Sequence, residues 1–396
     1  MGLTDTPNAN RLHITLFGRR NSGKSSLINA LTGQDIALVS NTPGTTTDLV
    51  SKAMEIQGIG PCLFIDTPGF DDEGALGELR ISRTLKAIEK TDIALLLCED
   101  TTFFHEKEIL ALLKEKNIPV IPVLNKIDIR ENSDHLATYI EEQCKIHPLL
   151  ISAKEKIGIE LIRQAILEKL PSDFGQQSIT GELVTENDLV LLVMPQDIQA
   201  PKGRLILPQV QTIRELLDKK CLVMTCTTDK FSATLQALAR PPKLIITDSQ
   251  VFKAIYEQKP KESELTSFSV LFAGYKGDIH YYVESAAVIE RLTESSRVLI
   301  AEACTHAPLS EDIGRVKLPR LLRKRIGENL QIDMVAGTDF PQDLTPYSLV
   351  IHCGACMFNR KYVLSRIERA REQHIPMTNY GVAIAFLNGI LDQIKY

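Results

Sequence analysis

Tryptophan is missing from this chain of 396 residues, an absence that excludes no function. More telling is the lack of any apolar run near the ~20 residues that a membrane-spanning helix needs. The longest apolar stretches, over 189–194 and 93–98, have the length of strands. No secretory leader is read at the start, because the first apolar stretch, 12–17, reads as a strand entering a glycine-rich loop. Positive charge is not in excess either: 45 Lys and Arg stand against 50 Asp and Glu, a net charge of −5. Before Ser172 there are 19 basic and 24 acidic residues, and from there on 26 of each. Neither part is a basic slab, so binding to nucleic acid through counter-ion release is not expected. The eight cysteines are scattered along the whole length rather than packed into a short disulfide framework, which suits core residues, metal ligands or catalysts in a reducing compartment. The expectation is a cytoplasmic protein with no membrane and no nucleic acid among its partners.

What is present fits a packed fold. Apolar residues make up 44% and charged residues 24%, near the globular average. At roughly 150 residues per domain, the length predicts two or three domains. Up to Pro171 short apolar strands (11–18, 53–57, 61–66, 93–99, 120–125, 148–152) alternate with helical stretches, which implies an α/β fold with a mainly parallel sheet. The small, polar stretch 172–181 reads as a linker. A second alternation runs over 188–258, the polar run 259–267 reads as a seam, and a third begins with a strand over 268–272. The predicted organisation is three α/β units, over 1–172, 182–264 and 268–396, with no sequence repeat.

The first unit carries ordered motifs. Gly18-Arg-Arg-Asn-Ser-Gly-Lys-Ser25 fits the phosphate-loop pattern and falls between a strand and a helix. In such a loop Gly18, Asn21, Ser22, Gly23, Lys24, Ser25 and Ser26 cradle the phosphates; Lys24 reaches the β- and γ-oxygens and the Ser25 hydroxyl binds Mg²⁺. Asp66-Thr-Pro-Gly69 follows a strand, with Asp66 as the metal-side carboxylate and Gly69 as the γ-phosphate sensor. Asn125-Lys126-Ile-Asp128 supplies a carboxylate that can accept from both N1 and N2 of guanine, a match that adenine cannot offer. Ser152-Ala153-Lys154 would close the other side of the base. The pattern predicts a GTPase that turns GTP into GDP and phosphate with Mg²⁺.

These residues resemble the tRNA-modification and ribosome-assembly GTPases, a branch that reads Gly-x-x-Asn-x-Gly-Lys-Ser followed by Pro-Gly-Thr-Thr-x-Asp. Here Asn21 and Pro43-Gly44-Thr45-Thr46-Thr47-Asp48 fill those places. The resemblance implies K⁺ held beside the phosphates with Asn21, and Thr46 as the switch-one Mg²⁺ ligand. A monovalent cation there can neutralise charge that develops in the transition state. Phe70 follows Gly69 where a water-orienting Gln could have stood, so intrinsic hydrolysis is expected to be slow.

Among the cysteines, Cys62, Cys98, Cys221 and Cys226 read as core, and Cys144 has no evident partner. The C-terminal set differs. Cys304-Thr-His306 follows one predicted strand, and 46 positions after His306 comes His352-Cys353-Gly-Ala-Cys356 at the end of another. Strand ends of this kind are where α/β sheets build their sites. Three thiolates with imidazoles nearby make either a Cys₃His zinc site or three corners of a [4Fe–4S] cluster, and spacing does not choose between them. His306 and His352 are either ligands or hydrogen-bond donors around the sulfurs.

A GTPase domain of this branch joined to Cys-x-His…His-Cys-x-x-Cys resembles the [FeFe]-hydrogenase maturation GTPases along the full length. That resemblance implies a [4Fe–4S] cluster on Cys304, Cys353 and Cys356 and a middle domain that forms a homodimer. It further implies a scaffold that receives a transient di-iron subcluster and passes it to apo-[FeFe]-hydrogenase, alongside radical-SAM-type maturation enzymes, with GTP hydrolysis timing partner exchange. Arg315, Lys317, Arg320, Arg323, Lys324 and Arg325 form the densest basic stretch, either a cationic wall for an anionic cargo or a solvated helix face. The rival reading is an RNA- or ribosome-associated GTPase with a structural zinc module.

Overall fold

The computed structural model describes residues 6–32, 50–69, 83–171, 174–175, 177–196, 205–303 and 312–396. It falls into two compact units, 1–176 and 177–396.

In the first unit six strands form one sheet in the order β2-β3-β1-β4-β5-β6. These are β1 (Leu12–Gly18), β2 (Val50–Ile56), β3 (Gly60–Asp66), β4 (Ile93–Cys98), β5 (Val120–Leu124) and β6 (Leu149–Leu150). All neighbours run parallel except the β2–β3 pair. The central strands β1, β4 and β5 are buried from end to end, as continuous apolar runs between two helical layers must be. Around them lie α1 (Lys24–Thr32), α2 (Phe104–Glu115), α3 (Ser133–Cys144) and α4 (Ile159–Glu168). Cys62, Cys98 and Cys144 are all buried, the last two in one apolar cluster.

The second unit holds two four-stranded parallel sheets. The first comprises β7 (Leu189–Val193), β8 (Leu222–Cys226), β9 (Leu244–Thr247) and β10 (Glu264–Ser267), in the order β10-β9-β7-β8. The second comprises β11 (Arg297–Glu302), β12 (Gln331–Ala336), β13 (Leu349–His352) and β14 (Met377–Asn379), in the order β12-β11-β13-β14. Taken by position in each set, the two orders are the same, so a topology is repeated that no sequence repeat betrays. Helices α5 (Leu207–Asp218), α6 (Phe231–Ala237) and α7 (Phe252–Gln258) belong with the first sheet. Then come α8 (Phe268–Lys276), α9 (Ile279–Ala286), α10 (Leu318–Ile326), α11 (Arg360–Glu372) and α12 (Tyr380–Leu387).

Two sequence expectations fail here. The polar run 259–267 is no plain seam, because its end is strand β10; and 268–272 is not a strand but the start of α8. Ser267 caps that helix, its Oγ accepting from the Val270 amide at 3.2 Å. The helix is apolar on most sides because both sheets need it. Phe268, Leu271 and Phe272 join the cluster with Val190 and Leu192, while Val270 and Ala273 join the one that links Leu191 and Ile245 to Leu299 and Val350. Of the two middle cysteines, Cys221 is buried and Cys226 is half-buried against that second cluster.

Candidate functional site

Because β1, β3, β4, β5 and β6 run in one direction, the loops after them open on one edge of the first sheet. The turn after β1 uses left-handed backbone at Asn21 (φ 63°) and Gly23 (φ 91°). A side chain on Gly23 would collide with the Asn125 amide. Lys24 is buried, and its Nζ donates to the carbonyls of Gly18 and Arg19, each at 2.8 Å. Ser25 Oγ donates to Asp66 Oδ2 at 2.7 Å, while Asp66 Oδ1 is buried with no hydrogen-bond partner. Burial pushes the Asp66 carboxyl pKa up, against the opposing pull of Ser25 and Lys24. A desolvated carboxylate with one unused oxygen, beside a serine hydroxyl, fits a Mg²⁺ site.

Asn125 is the joint of this cradle. Its Nδ2 donates to Ser22 O at 3.0 Å, and its Oδ1 accepts from the amides of Lys126 (2.8 Å) and Ala153 (3.0 Å). One buried amide thus ties the phosphate loop to both base-side loops. Lys126 has left-handed backbone (φ 66°), which turns the chain so that Asp128 follows on a short 3₁₀ turn. Ser152 Oγ donates to Asp128 Oδ1 at 2.6 Å and holds that carboxyl below its usual range. Lys126 Nζ reaches Glu99 at 3.2 Å, and exposed Lys154 pairs with Glu155 at 3.5 Å. Ser26 follows Ser25 in the first turn of α1, and Gly69 closes the described segment after β3. Thr46 and Phe70 lie outside the described residues.

Sequence reasoning passed over Arg19, treated only as a variable loop position. Its guanidinium pairs with Asp100 (3.0 Å) and with the buried carboxylate of Glu106 on α2 (2.9 Å), and it donates to Thr102 Oγ1 at 2.8 Å. The phosphate loop is thereby clamped to the chain that follows β4. An arginine in the loop and acids after the fourth strand were visible, but nothing in sequence joined them.

In the second unit the chain leaves β11 toward β12 on one side, whereas β13 leads on to β14 on the other. The loops after β11 and β13 therefore diverge at a topological switch point, the usual place for a ligand. Cys353 and Cys356 lie on the loop after β13, turned by Ala355 in left-handed backbone (φ 50°). A non-glycine residue held there marks a constrained loop. Cys353 Sγ accepts from the amides of Ala303 (3.0 Å) and Ala355 (3.4 Å). Burial pushes its pKa up to about 11, while those amides and Arg366 pull the other way. Cys304 and His306 lie outside the described residues, and among the described residues no group of three His, Cys, Asp or Glu is placed to hold a metal ion.

His352 is fully buried. Its Nδ1 meets the Cys353 carbonyl and its Nε2 meets Arg366 Nη1, both at 2.8 Å. A guanidinium only donates, so Nε2 accepts and Nδ1 carries the proton. Burial and the Arg366 charge push its pKa down to about 3. Both ring nitrogens are engaged in this arrangement. Lys276, the buried last residue of α8, donates to Phe358 O at 2.5 Å, and burial lowers its pKa to about 8.

The basic stretch divides. Arg315 pairs with Glu302, at the end of β11, at 3.0 Å. Lys317, Arg320 and Lys324 instead line a cavity of about 380 Å³ with Gln250 and Ile384. Part of the stretch thus faces a cavity, but its cations do not act as one wall.

Comparison with known proteins follows the same division of the chain. Residues 13–126 match the family described as "50S ribosome-binding GTPase". The curated tRNA modification GTPase MnmE of Dechloromonas aromatica (strain RCB) is 40% identical over 161 residues, 39% of this chain and 34% of its own length. MnmE of Nitrosospira multiformis is 32% identical over 228 residues, 56% of this chain and 49% of its own. The chain thus spans a third to a half of these curated relatives. Among solved structures, the G domain of the T. maritima FeoB iron transporter is 25% identical with a TM-score of 0.33, covering 40% of this chain and 98% of its own. Aquifex aeolicus Era is 19% identical with a TM-score of 0.35, covering 57% of this chain and 98% of its own. Beyond the GTPase domain, residues 179–277 match the hydrogen maturase F dimerization domain, and 280–395 match the hydrogen maturase F tetramerization domain. With a GTPase domain followed by both of these, over more than half its length, the chain belongs to the hydrogen maturase F family.

Proposed function

We propose that this protein is a GTP-driven scaffold for hydrogenase maturation: it holds a [4Fe–4S] cluster on Cys304, Cys353 and Cys356, takes up a di-iron subcluster and hands it to apo-[FeFe]-hydrogenase. The observation that carries this reading is Cys353, a half-buried cysteine at the switch point of the second sheet whose sulfur accepts from two backbone amides, Ala303 after β11 and Ala355 within the constrained Cys-x-x-Cys loop. Amide hydrogen bonds to sulfur are a means by which proteins hold and tune iron–sulfur clusters. A cubane with three thiolates leaves one iron with an exchangeable position, the chemistry that a receiving site needs. Cys353 and Cys356 hold two corners, His352 fixes the loop through the Cys353 carbonyl, and Cys304 completes the thiolate set. The match to the hydrogen maturase F domains supports a di-iron cargo exchanged with radical-SAM-type enzymes and hydrogenase.

In the GTPase domain, Lys24 exchanges the Gly18 and Arg19 carbonyls for phosphate oxygens, and Asp128 selects guanine. Ser25, Thr46 and Asp66 would hold Mg²⁺, which supplies charge neutralisation at the phosphates. Asn21, already in left-handed backbone, would hold K⁺ beside them. Hydrolysis is slow and K⁺-stimulated because Phe70, standing directly after Gly69, can neither donate to nor accept from the attacking water, and loss of the γ-phosphate times release of partners. Residues 179–277 form the dimer and 280–395 the tetramer.

Anaerobic purification with iron, sulfide and zinc counts tests the central point. About four irons per wild-type chain, lost in C353S and C356S, support the scaffold. Colourless protein with one zinc would overturn it in favour of an RNA-associated GTPase with a structural zinc module.

A further inference from the structure

Among the described residues, the largest fully buried side chain belongs to an arginine. Arg366, on α11, is 1% exposed. Its Nη1 donates to His352 Nε2 at 2.8 Å, and its Nη2 donates to Gly337 O at 2.5 Å and the Tyr362 hydroxyl at 3.2 Å. Three rings surround it, with Phe340, Phe358 and Tyr362 centred 4.6–4.7 Å from the guanidinium carbon. Its Nε is buried with no hydrogen-bond partner, and no carboxylate pairs with it among the described residues.

An arginine stays charged at any depth, and a buried charge without a counter-ion is strongly destabilising. Rings and carbonyls lower that cost but carry no negative charge to cancel it. The compensating anion must lie nearby, and the contacts point to where. His352 bridges the guanidinium to the Cys353 carbonyl at 2.8 Å on each side, which places the Cys353–Cys356 loop next to the buried charge.

We propose that Arg366 is the buried counter-charge of the metal–thiolate centre on the Cys353–Cys356 loop and sets its reduction potential through the His352 bridge. This rests on the cluster assignment made above. A [4Fe–4S]²⁺ core with three thiolates carries a net charge of −1, and one electron from an external reductant such as dithionite makes it −2. A fixed cation favours the more negative state, so Arg366 raises the potential. Arg366 is a positioning and charge-balancing residue, joined to the Cys353 carbonyl through His352.

The test is potentiometric titration of the full-length reconstituted protein, followed by electron paramagnetic resonance, with iron counted in every sample. R366Q and R366M should hold about four irons yet be reduced at a more negative potential than wild type, and R366K should restore most of the shift. Since a neutral side chain in that cage can impair folding, a second pair leaves Arg366 in place. F358E sets a carboxylate against the guanidinium and F358Q does not, so F358E alone should move the potential downward. Potentials unchanged in R366Q, R366M and F358E while iron stays at about four would overturn the proposal and leave the cluster assignment standing. An R366K shift as large as that of R366M would also overturn it, since fit rather than charge would then be responsible. A wild-type chain that holds no iron would sink the cluster assignment and this inference together.

Discussion

Replacing Asn125 with alanine should loosen the whole nucleotide site at once. The amide is buried and makes three hydrogen bonds of 2.8–3.0 Å, to Ser22, Lys126 and Ala153. At about 1 kcal/mol net each, and with three backbone groups left short of a partner, the loss comes to about 3 kcal/mol. For a unit of this size each kcal/mol moves Tm by about 2–4 °C, so N125A should melt about 6–12 °C lower. GTP affinity should fall as well, because bound nucleotide must then order loops that Asn125 had already ordered. If half or all of the lost energy is charged to binding, Kd rises about 10- to 100-fold. N125D separates the parts: it keeps an acceptor for the Lys126 and Ala153 amides but sets a carboxylate against the Ser22 carbonyl. It should therefore harm phosphate contacts more than guanine selectivity. Differential scanning calorimetry and titration with a fluorescent GDP give both numbers. An N125A protein that melts and binds as wild type does would refute the view that this amide joins the three loops.

Removing the guanidinium in R19A leaves Glu106 buried and unpaired and should cost about 3–5 kcal/mol in chemical denaturation, part of which the double variant R19A/E106Q should recover. If the double variant is no more stable than R19A, the pair is not what holds the loop. D128N loses the acceptor for the guanine donors, so GTP binding should weaken at least about a hundredfold while xanthosine triphosphate gains; equal affinity for both nucleotides in wild type would count against the assignment. Acid should weaken the second unit through His352, whose pKa falls from 6.5 to about 3 on folding. Between those values the unfolded chain binds a proton that the folded chain does not, so its contribution is complete above pH 6.5 and declines as pH falls. The slope is at most about 1.4 kcal/mol per pH unit. Urea denaturation of the apoprotein at pH 4–7 should show a shallower acid loss in H352Q, and identical slopes would dismiss the effect.

Contiguous motifs were legible because their chemistry is local. Four short sequences in the right order, each at a strand end, were enough for a guanine nucleotide site, and continuous apolar runs were enough for buried parallel strands. The joint at Asn125 was not legible: Ser22 lies 103 positions away and Ala153 lies 28 away, so only the sheet's parallel order brings them together. Strand β10 was hidden in a polar run and β14 is only three residues long, too short for any alternation to show. Helix α8 was mistaken for a strand because it is apolar on several faces, and that reflects a place between two sheets rather than a period in its own sequence.

Residue identity alone dictated the phosphate loop, the choice of guanine and the presence of paired thiols near the C-terminus, since each needs particular functional groups at close spacing. Folding decided which distant groups serve them. The doubled strand order, the amides aimed at Cys353 and the neutral His352 all arise where segments far apart in sequence are packed side by side. So does Arg366, whose place next to the thiol loop depends on β13 and α11 meeting. Burial is a property of that packing, and it turns an ordinary arginine or histidine into a group with one fixed charge and one fixed set of partners.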